Sequence, residues 1–455
     1  MKVYNSLTRT KENLVTENNT VKMYSCGPTV YYFPHIGNMR AYIFMDLLRK
    51  TLKYCGFKIE GVINITDVGH LVSDANEGED KMELAAKREK KDPKQIAEFY
   101  TECFFKDCKK LNIELPEHIA KATDNINEMI EFIKVLEQKG FTYIIDDGVY
   151  FDIQKFPAYG ALSGADLSKV GVNRIDENPQ KHHPFDFVLW KFVPKEHIMK
   201  WNSPWGEGCP GWHIECSAMG RKYLGNSIDI HTGGIDHKPI HHENEIAQND
   251  AYEGRQVVKN WMHTEFLQVD GGKMSKSLGN LYTLDQLNEK GFSPLDFRYM
   301  NLLTHYRKSL NFTFDSLESS KQALNTLRQL VSLHKNGTND ISNEIIENYK
   351  NEFTQAISDD LNVPLAVGIL WKMLKTEKKS KEVYKLALDF DRVFSLNLDE
   401  EIQQIIPEEI INIANERKKA RDEKNWEKSD KLRNLILEKG FLIKDTKEGF
   451  EIVKK

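Results

Sequence analysis

Val21, Met23 and Tyr24 make an apolar run interrupted only by Lys22, as in a short buried strand, and Cys26 stands at its expected end. The rhythm changes over 41–54. Phe44, Leu47, Leu48 and Leu52 recur at helical spacing, while Asp46, Arg49, Lys50 and Lys53 take the other side. Gly56 is a helix stop, and 59–68 (Ile59, Val62, Ile63, Ile65, Val68) reads as a second buried strand. Strand, glycine-bearing turn, helix and strand make a βαβ unit, so the opening domain is expected to be α/β with a parallel sheet.

Further on, 76–94 is dense in charge and reads as a solvated helix or loop. Helical patterns run through Phe105 and again over 126–136, ending at Gly140. Residues 149–153 are strand-like, 163–184 polar and irregular, and 201–211 a turn-rich re-entry. The block from about 111 to 204 therefore reads as an insertion between two halves of a larger fold. A short strand at 228–230 leads into Thr232-Gly233-Gly234, with a helix after Pro239. Residues 266–270 end at Gly271-Gly272, 319–405 is helix-patterned, 408–439 is helical and charged, and 440–443 with 449–453 suggests a final hairpin.

At 455 residues, two to four domains are expected. Hydrophobic residues (40%) and charged ones (29%) stand in ordinary globular proportion. A net charge of −5 gives no global attraction to nucleic acid, so an RNA surface would have to be a local patch. No apolar run approaches the roughly 20 residues that span a bilayer. Residues 1–10 lack a signal-peptide core, and six cysteines suggest no disulfide framework. A cytoplasmic protein is expected.

His241 and Glu245, four apart after Pro239, share a helix face. Trp212 and Cys216, four apart after Pro210-Gly211, share another. With Cys26 they offer two thiolates, an imidazole and a carboxylate, a donor set that suits zinc. Cys209, seven residues before Cys216, is a rival, and Cys55, Cys103 and Cys108 read as structural. No Cys-x-x-Cys occurs, and each residue also has a plain reading as a polar or core side chain.

His35-Ile36-Gly37-Asn38 opens a helix, whose amino-terminal N–H groups favour anions. Gly271-Gly272-Lys273-Met274-Ser275-Lys276-Ser277 is a flexible loop with two lysines and two hydroxyls, able to close over a triphosphate. Each motif alone is weak; both in this order in one chain point to an ATP site.

These strings resemble the class I aminoacyl-tRNA synthetases, and specifically the cysteinyl-tRNA synthetases. The resemblance runs nearly end to end. It includes Cys26-Gly27-Pro28-Thr29-Val30-Tyr31, the HIGH-type His35-Ile36-Gly37-Asn38, Asn64-Ile65-Thr66-Asp67, Trp190-Lys191 and Trp205-Gly206. It continues through Gly211-Trp212-His213-Ile214-Glu215-Cys216, His241-His242-Glu243-Asn244-Glu245 and the KMSKS-type Lys273-Met274-Ser275-Lys276-Ser277. It implies a Rossmann-like parallel-sheet α/β catalytic domain with an inserted connective block. An α-helical bundle and a small mixed α/β anticodon-binding domain would follow. The expected boundaries are 1–110 and 205–265 for the catalytic halves and 111–204 for the insertion. The loop and tRNA-stem region would cover 266–318, the bundle 319–405 and the anticodon domain 406–455.

The resemblance implies one zinc ion per chain on Cys26, Cys216, His241 and Glu245, binding the thiolate of substrate cysteine. That choice sets Cys216 above Cys209. It implies a cysteine pocket of Gly27, Thr66, Trp212 and His231. It implies that ATP, with Mg2+, meets His35, Gly37, Asn38, Gly234, Asp236, Lys273, Ser275, Lys276 and Ser277, of which His35, Asn38, Lys273 and Lys276 are catalytic. The implied reaction is adenylation of L-cysteine followed by transfer to tRNA(Cys), by a monomer with no membrane partner and no editing domain. Three stretches depart from the family's usual pattern. Asn38 replaces a His, Tyr32-Phe33 replaces an acidic residue, and 236–240 brings an extra imidazole, His237, near the expected zinc.

Residues 417–433 hold eight Lys/Arg and four Asp/Glu, with Trp426 placed to stack on a base. A solvated amphipathic helix is the plainer reading of that charge; the resemblance assigns anticodon recognition to it. A cysteine-to-amine ligase of related fold and an inactive RNA-binding relative are the competing readings. The long chain after residue 318 opposes the first, and the intact His35, Lys276 and ligand set oppose the second.

Overall fold

The computed structural model describes residues 1–69, 81–164, 178–274, 279–400, 407–446 and 449–454. Expectations for 76–80, for 165–177 and for Ser275, Lys276 and Ser277 lie outside the described residues. The chain divides into two compact units, Met1–Leu398 and Asp399–Lys455.

The first unit is built on five parallel strands: β1 (Thr20–Ser25), β2 (Lys58–Ile65), β3 (His118–Lys121), β4 (Ile228–Gly234) and β5 (Val258–Thr264). Their order is β5-β4-β1-β2-β3. Val21 and Met23 are buried on one face of β1 and Tyr24 on the other, so the strand carries apolar residues on both faces despite Lys22. From β1 the chain moves outward through β2 to β3, then returns to the other side of β1 as β4. The order reverses there, so a crevice opens beyond the carboxyl ends of β1 and β4. Ser25 pairs with Thr232 across it.

Helix α1 (Ile36–Tyr54) joins β1 to β2 and starts five residues before the periodic pattern does. Ile36, Met39, Ile43, Leu47, Leu48 and Leu52 form its buried stripe. Asp46 and Arg49, expected on the solvent side, are fully buried as well. Helices cover that face, and both charges are paired: Asp46 with Arg298 at 2.6 Å and Arg49 with Glu117 at 2.8 Å.

A helix, α2 (Pro93–Lys110), precedes β3. Strand β3 pairs with β2, matching Val62 with His118, so the parallel sheet extends beyond the boundary expected at residue 110. The inserted block is itself a five-stranded antiparallel sheet, beside the helix Ile126–Gln138. Its last strand, Gly206–Pro210, pairs with Phe187–Phe192, so the catalytic fold resumes at Gly211 rather than at 205. The turn-rich 201–211 is a hairpin.

Two helices then follow the insertion at the sheet, α3 (Trp212–Leu224) before β4 and α4 (His241–Glu253) before β5. After β5, the strand Leu267–Val269 pairs with Leu310–Phe312, and α5 (Pro294–Leu302) lies between them in sequence. Four helices, Phe314–Lys335, Asn343–Ser358, Val363–Thr376 and Lys381–Phe394, close the unit around Leu324, Phe353, Leu370 and Phe390. No helix of the described residues is long and apolar enough to cross a membrane.

The second unit packs helices Glu408–Asp422 and Trp426–Glu438 with a hairpin, Phe441–Thr446 and Gly449–Lys454. Ile410, Ala414, Ile436, Phe441 and Ile452 form its core. The helical stretch expected over 408–439 consists of two helices. Lys424 takes φ +56°, and the Asn425 side chain caps the second helix by accepting from Lys428 N at 3.2 Å.

Candidate active site

One cavity of about 860 Å³ lies at the crevice. Cys26, Gly27, His35, Gly37, Asn38, Trp212, Cys216, Gly234, Asp236, His241 and Lys273 all line it. Thr66, His231 and Glu245 are buried and do not line it. The fold thus draws most of the expected residues to one place from five separate segments.

Cys26 directly follows β1, and its N–H donates to Thr232 O on β4 at 3.0 Å. Gly27 comes next because nothing larger fits: a Cβ there would sit 1.6 Å from Asn64 O. Its N–H donates to Asn64 Oδ1 at 2.7 Å. Asn64 Nδ2 donates to Thr66 Oγ1, which donates to Glu215 Oε2 at 2.7 Å. Asn64 and Glu215 were not assigned roles in the sequence, yet they brace the turn that carries Cys26.

His35 is the N-cap of α1. Its Nδ1 accepts from Asn38 N, and Asn38 Oδ1 accepts from His35 N, both at 3.2 Å. Accepting at Nδ1 leaves the neutral ring's proton on Nε2, a donor. A Cβ on Gly37 would stand 2.3 Å from Met274 Cε, so the two ATP motifs touch although 237 positions separate those residues.

The Cys/His/Glu cluster forms where α3 and α4 meet the strand ends. His241 Nε2 is 3.0 Å from Glu245 Oε1 and 3.6 Å from Cys216 Sγ. Cys26 Sγ is 3.2 Å from His242 Nε2. Ligand atoms of Cys26, His241, His242 and Glu245 all lie within 4.8 Å of one another. His242 was missed in the sequence because it breaks the i,i+4 pattern, although it is three residues from Glu245. Cys209 stays in the antiparallel sheet on the strand Gly206–Pro210. The His237 ring lies 5.1 Å from that of His241 and outside the close group.

A second layer orients these groups. His213 Nδ1 meets His241 Nδ1 at 2.9 Å, His242 Nδ1 meets His263 Nε2 at 2.8 Å, and His263 Nδ1 meets Ser6 Oγ at 2.8 Å. His231 Nε2 meets Glu245 Oε2 at 2.9 Å, and the Trp212 ring stacks on His241 at 4.2 Å.

Burial pushes the Cys26 thiol well up, so it stays an S–H donor to Cys216. In Cys216 burial works upward too, but the bond from Cys26 and the neighbouring His241 outweigh it and hold the thiol at about 6. Burial likewise opposes ionisation of Glu245, and the neighbouring His231 and His241 rings overcome it to hold the carboxyl at about 2. For His241, burial works downward; Glu245 and Cys216 win and raise it to about 10. Burial drives His242 and His263 well below the usual imidazole range and His237 to about 4.

The residues present fit a metal ion. Glu245 Oε1 is buried and holds no hydrogen bond beyond its 3.0 Å ionic approach to His241 Nε2. A thiolate and a carboxylate face one imidazolium, whose proton occupies the place a cation would take. Two sulfurs, nitrogen and a carboxylate oxygen are donors suited to zinc.

The reversal in strand order, the helix that opens on Ile36-Gly37 and Met274 lying against that glycine are the arrangement of a class I tRNA synthetase catalytic domain. A family model described as tRNA synthetases class I (C) catalytic domain matches residues 12–322. The chain is 43% identical to a cysteine–tRNA ligase of Borrelia garinii subsp. bavariensis, covering 99% of each chain. It is 40% identical to one of Treponema denticola, covering 98% of each. Among solved structures, the methionyl-tRNA synthetase of Mycobacterium tuberculosis in complex with methionyl-adenylate shares the fold. The TM-score is 0.56 at 12% identity, over 83% of this chain and 90% of that one. The chain belongs to the cysteine–tRNA ligase family.

Proposed function

We propose that this ligase selects L-cysteine at a zinc ion held by Cys26, Cys216, His241 and Glu245. It joins the amino acid to ATP as cysteinyl-adenylate, releasing pyrophosphate, and transfers cysteine to tRNA(Cys). One observation carries the reading: the thiol pair and His241 line the same cavity as His35, Gly37 and Lys273. Zinc bound there would take the substrate thiolate, a soft ligand that serine's hydroxyl does not match, where a plain pocket separates such pairs by only about 1–3 kcal/mol.

The chain's own residues do the rest by placement. The substrate carboxylate oxygen attacks the α-phosphorus as the bond to pyrophosphate breaks, which requires alignment and charge stabilisation rather than a covalent nucleophile. His35 offers Nε2–H to phosphate at the amino end of α1, where backbone N–H groups add to the field. Asn38 holds His35 in place through Oδ1 and has its Nδ2 amide to donate. Lys273 and Lys276 neutralise the departing pyrophosphate and the hydroxyls of Ser275 and Ser277 donate hydrogen bonds to it, while Gly234 and Asp236 take the nucleoside side. Trp212, over His241, keeps water from the thiol end, and Gly27 lines the amino-acid pocket, while Thr66 and His231 act from behind its wall through their bonds to Glu215 and Glu245. Mg2+ accompanies ATP.

Glu408–Asp422 and Trp426–Glu438 are proposed as the anticodon-binding surface. Arg417 and Arg421 both pair with Asp445, at 2.7 and 2.6 Å, and Lys431 pairs with Glu427, which leaves the exposed Lys418, Lys419, Lys424 and Lys428 and the 58% exposed Trp426 to meet RNA. The protein is proposed to act as a monomer in the cytoplasm; light scattering on the eluting protein tests the first point. The deciding assay is cysteine-dependent ATP–pyrophosphate exchange followed by charging of unfractionated tRNA with labelled cysteine. Exchange without charging would favour an amine ligase, and neither activity would overturn the reading.

A further inference from the structure

The edge of the active-site cavity carries a group of aromatic rings that neither ATP nor cysteine accounts for. Tyr32 and Phe33 precede His35 on the loop from β1. Phe99 and Tyr100 come from α2. Phe33 packs edge-on to Tyr100 at 5.1 Å and to Phe99 at 6.0 Å, and Tyr32 stacks on Tyr100 at 6.3 Å. Tyr100 is buried at 3% exposure and anchors the group. The other three rings are not used up by that packing: Tyr32, Phe33 and Phe99 are 40%, 42% and 40% exposed.

Three large rings exposed side by side mark a contact surface rather than a core. They are continuous with the reaction chamber, since Tyr32, Phe33 and Tyr100 also line the cavity. The surface is cationic as well. Arg88 Cζ lies 5.2 Å from the Tyr32 ring centroid and Lys91 Nζ 4.8 Å from that of Phe99. Residues 87–94 carry five Lys/Arg against two acidic residues, so the positive charge survives the pairing of Arg88 and Lys91 with Glu89. Aromatic rings interleaved with cations are how proteins hold an unpaired strand: bases stack on the rings while the cations follow the phosphates.

We propose that Tyr32, Phe33 and Phe99 form a stacking platform for the unpaired 3′ end of tRNA as it enters to receive the aminoacyl group. This rests on the tRNA-charging reading above. The terminal ribose must reach the adenylate inside the cavity, so the nucleotides just before it must cross the cavity's edge. The platform gives them sequence-tolerant binding there, with Arg88 and Lys91 on their phosphates.

The test uses full-length protein with Phe99→Ala, Phe99→Trp and Lys91→Ala. Phe99 lies off the cavity wall, so adenylate formation is expected to continue. Phe99→Ala should raise the KM for tRNA roughly tenfold, the loss expected for one stacked base, with cysteine-dependent pyrophosphate exchange and its ATP KM unchanged. Phe99→Trp should restore the tRNA KM, and Lys91→Ala should weaken tRNA binding most at low salt. As a check that needs no variant, tRNA carrying 2-aminopurine near its 3′ end should lose fluorescence on binding the wild-type protein. An unchanged tRNA KM together with unquenched 2-aminopurine overturns the platform. A raised ATP KM also overturns it, because the rings would then serve the nucleotide. Absence of exchange in the wild-type protein would instead strike the function proposed above, so the two failures are distinguishable.

Discussion

Arg298 Nη2 stands 2.6 Å from Asp46 Oδ2, with both side chains wholly buried and 252 positions apart in the chain. Arg298 also donates to Phe394 O at 2.6 Å and Leu111 O at 2.8 Å, while Asp46 accepts from Lys50 Nζ and Glu114 N, both at 2.8 Å. The pair joins α1, which begins at the ATP motif, to α5 and the end of the helical bundle. Breaking a buried pair strands the remaining charge, so Asp46→Ala should cost about 3–5 kcal/mol. Denaturant unfolding of the first unit measures it; a loss below about 1 kcal/mol would show that water reaches Arg298.

Cys216→Ser should remove the metal and cysteine activation together. Bound zinc should fall from one per chain toward none, with pyrophosphate exchange down at least about 100-fold. Cys209→Ser should leave both intact. If His242→Ala empties the site and Cys216→Ser does not, His242 is the fourth ligand and the proposed set is wrong.

Gly27→Ala places a methyl group against Asn64 O, a backbone atom that cannot swing aside. Strain of roughly 1–3 kcal/mol is expected, with the Cys26 turn displaced. Kinetically, kcat/KM for cysteine should drop while ATP binding, followed by equilibrium dialysis, changes little.

Asp250 gives a pH dependence away from the Cys/His/Glu cluster. Burial raises its carboxyl to about 6, against the lowering effect of the hydrogen bond from Val257 N. Because the folded value exceeds the unfolded one, its contribution to stability is fully present below about pH 4 and is lost as pH rises through 6. Asp250→Asn keeps an acceptor for Val257 N and removes the charge. The variant should be more stable than the parent at pH 7.5 by about 1–2 kcal/mol and indistinguishable near pH 4, read from urea midpoints at both values.

Removing 399–455 should spare adenylate formation and cut tRNA charging by at least about tenfold, because the adenylation cavity lies within Met1–Leu398. Parallel exchange and charging assays on the truncated protein check this, and equal losses in both would argue against a tRNA-binding tail.

Much of the site is legible in the residues. Cys26 follows an apolar stretch that fits a strand covered on both faces, and His241 and Glu245 meet because four residues make about one turn. What stays hidden depends on distant partners. Asp46 and Arg49 read as solvent-facing because the partners that let them be buried, Arg298 and Glu117, lie far along the chain; Lys50, one turn from Asp46, would pair with it equally well in solvent. Strand β3, His-Ile-Ala-Lys, is too short and polar to signal its place in the sheet. The choice of Cys216 over Cys209 comes from family resemblance; spacing leaves both open.

The central strand pairing also dictates an order of events during synthesis. Cys26 emerges early, but Cys216, His241 and Glu245 follow after about 190–220 further residues. At about 5–20 residues per second, the nascent chain carries that thiol without its partners for roughly 10–45 s. The antiparallel insertion, complete within that interval, is poised to fold before its flanking halves can close the catalytic sheet.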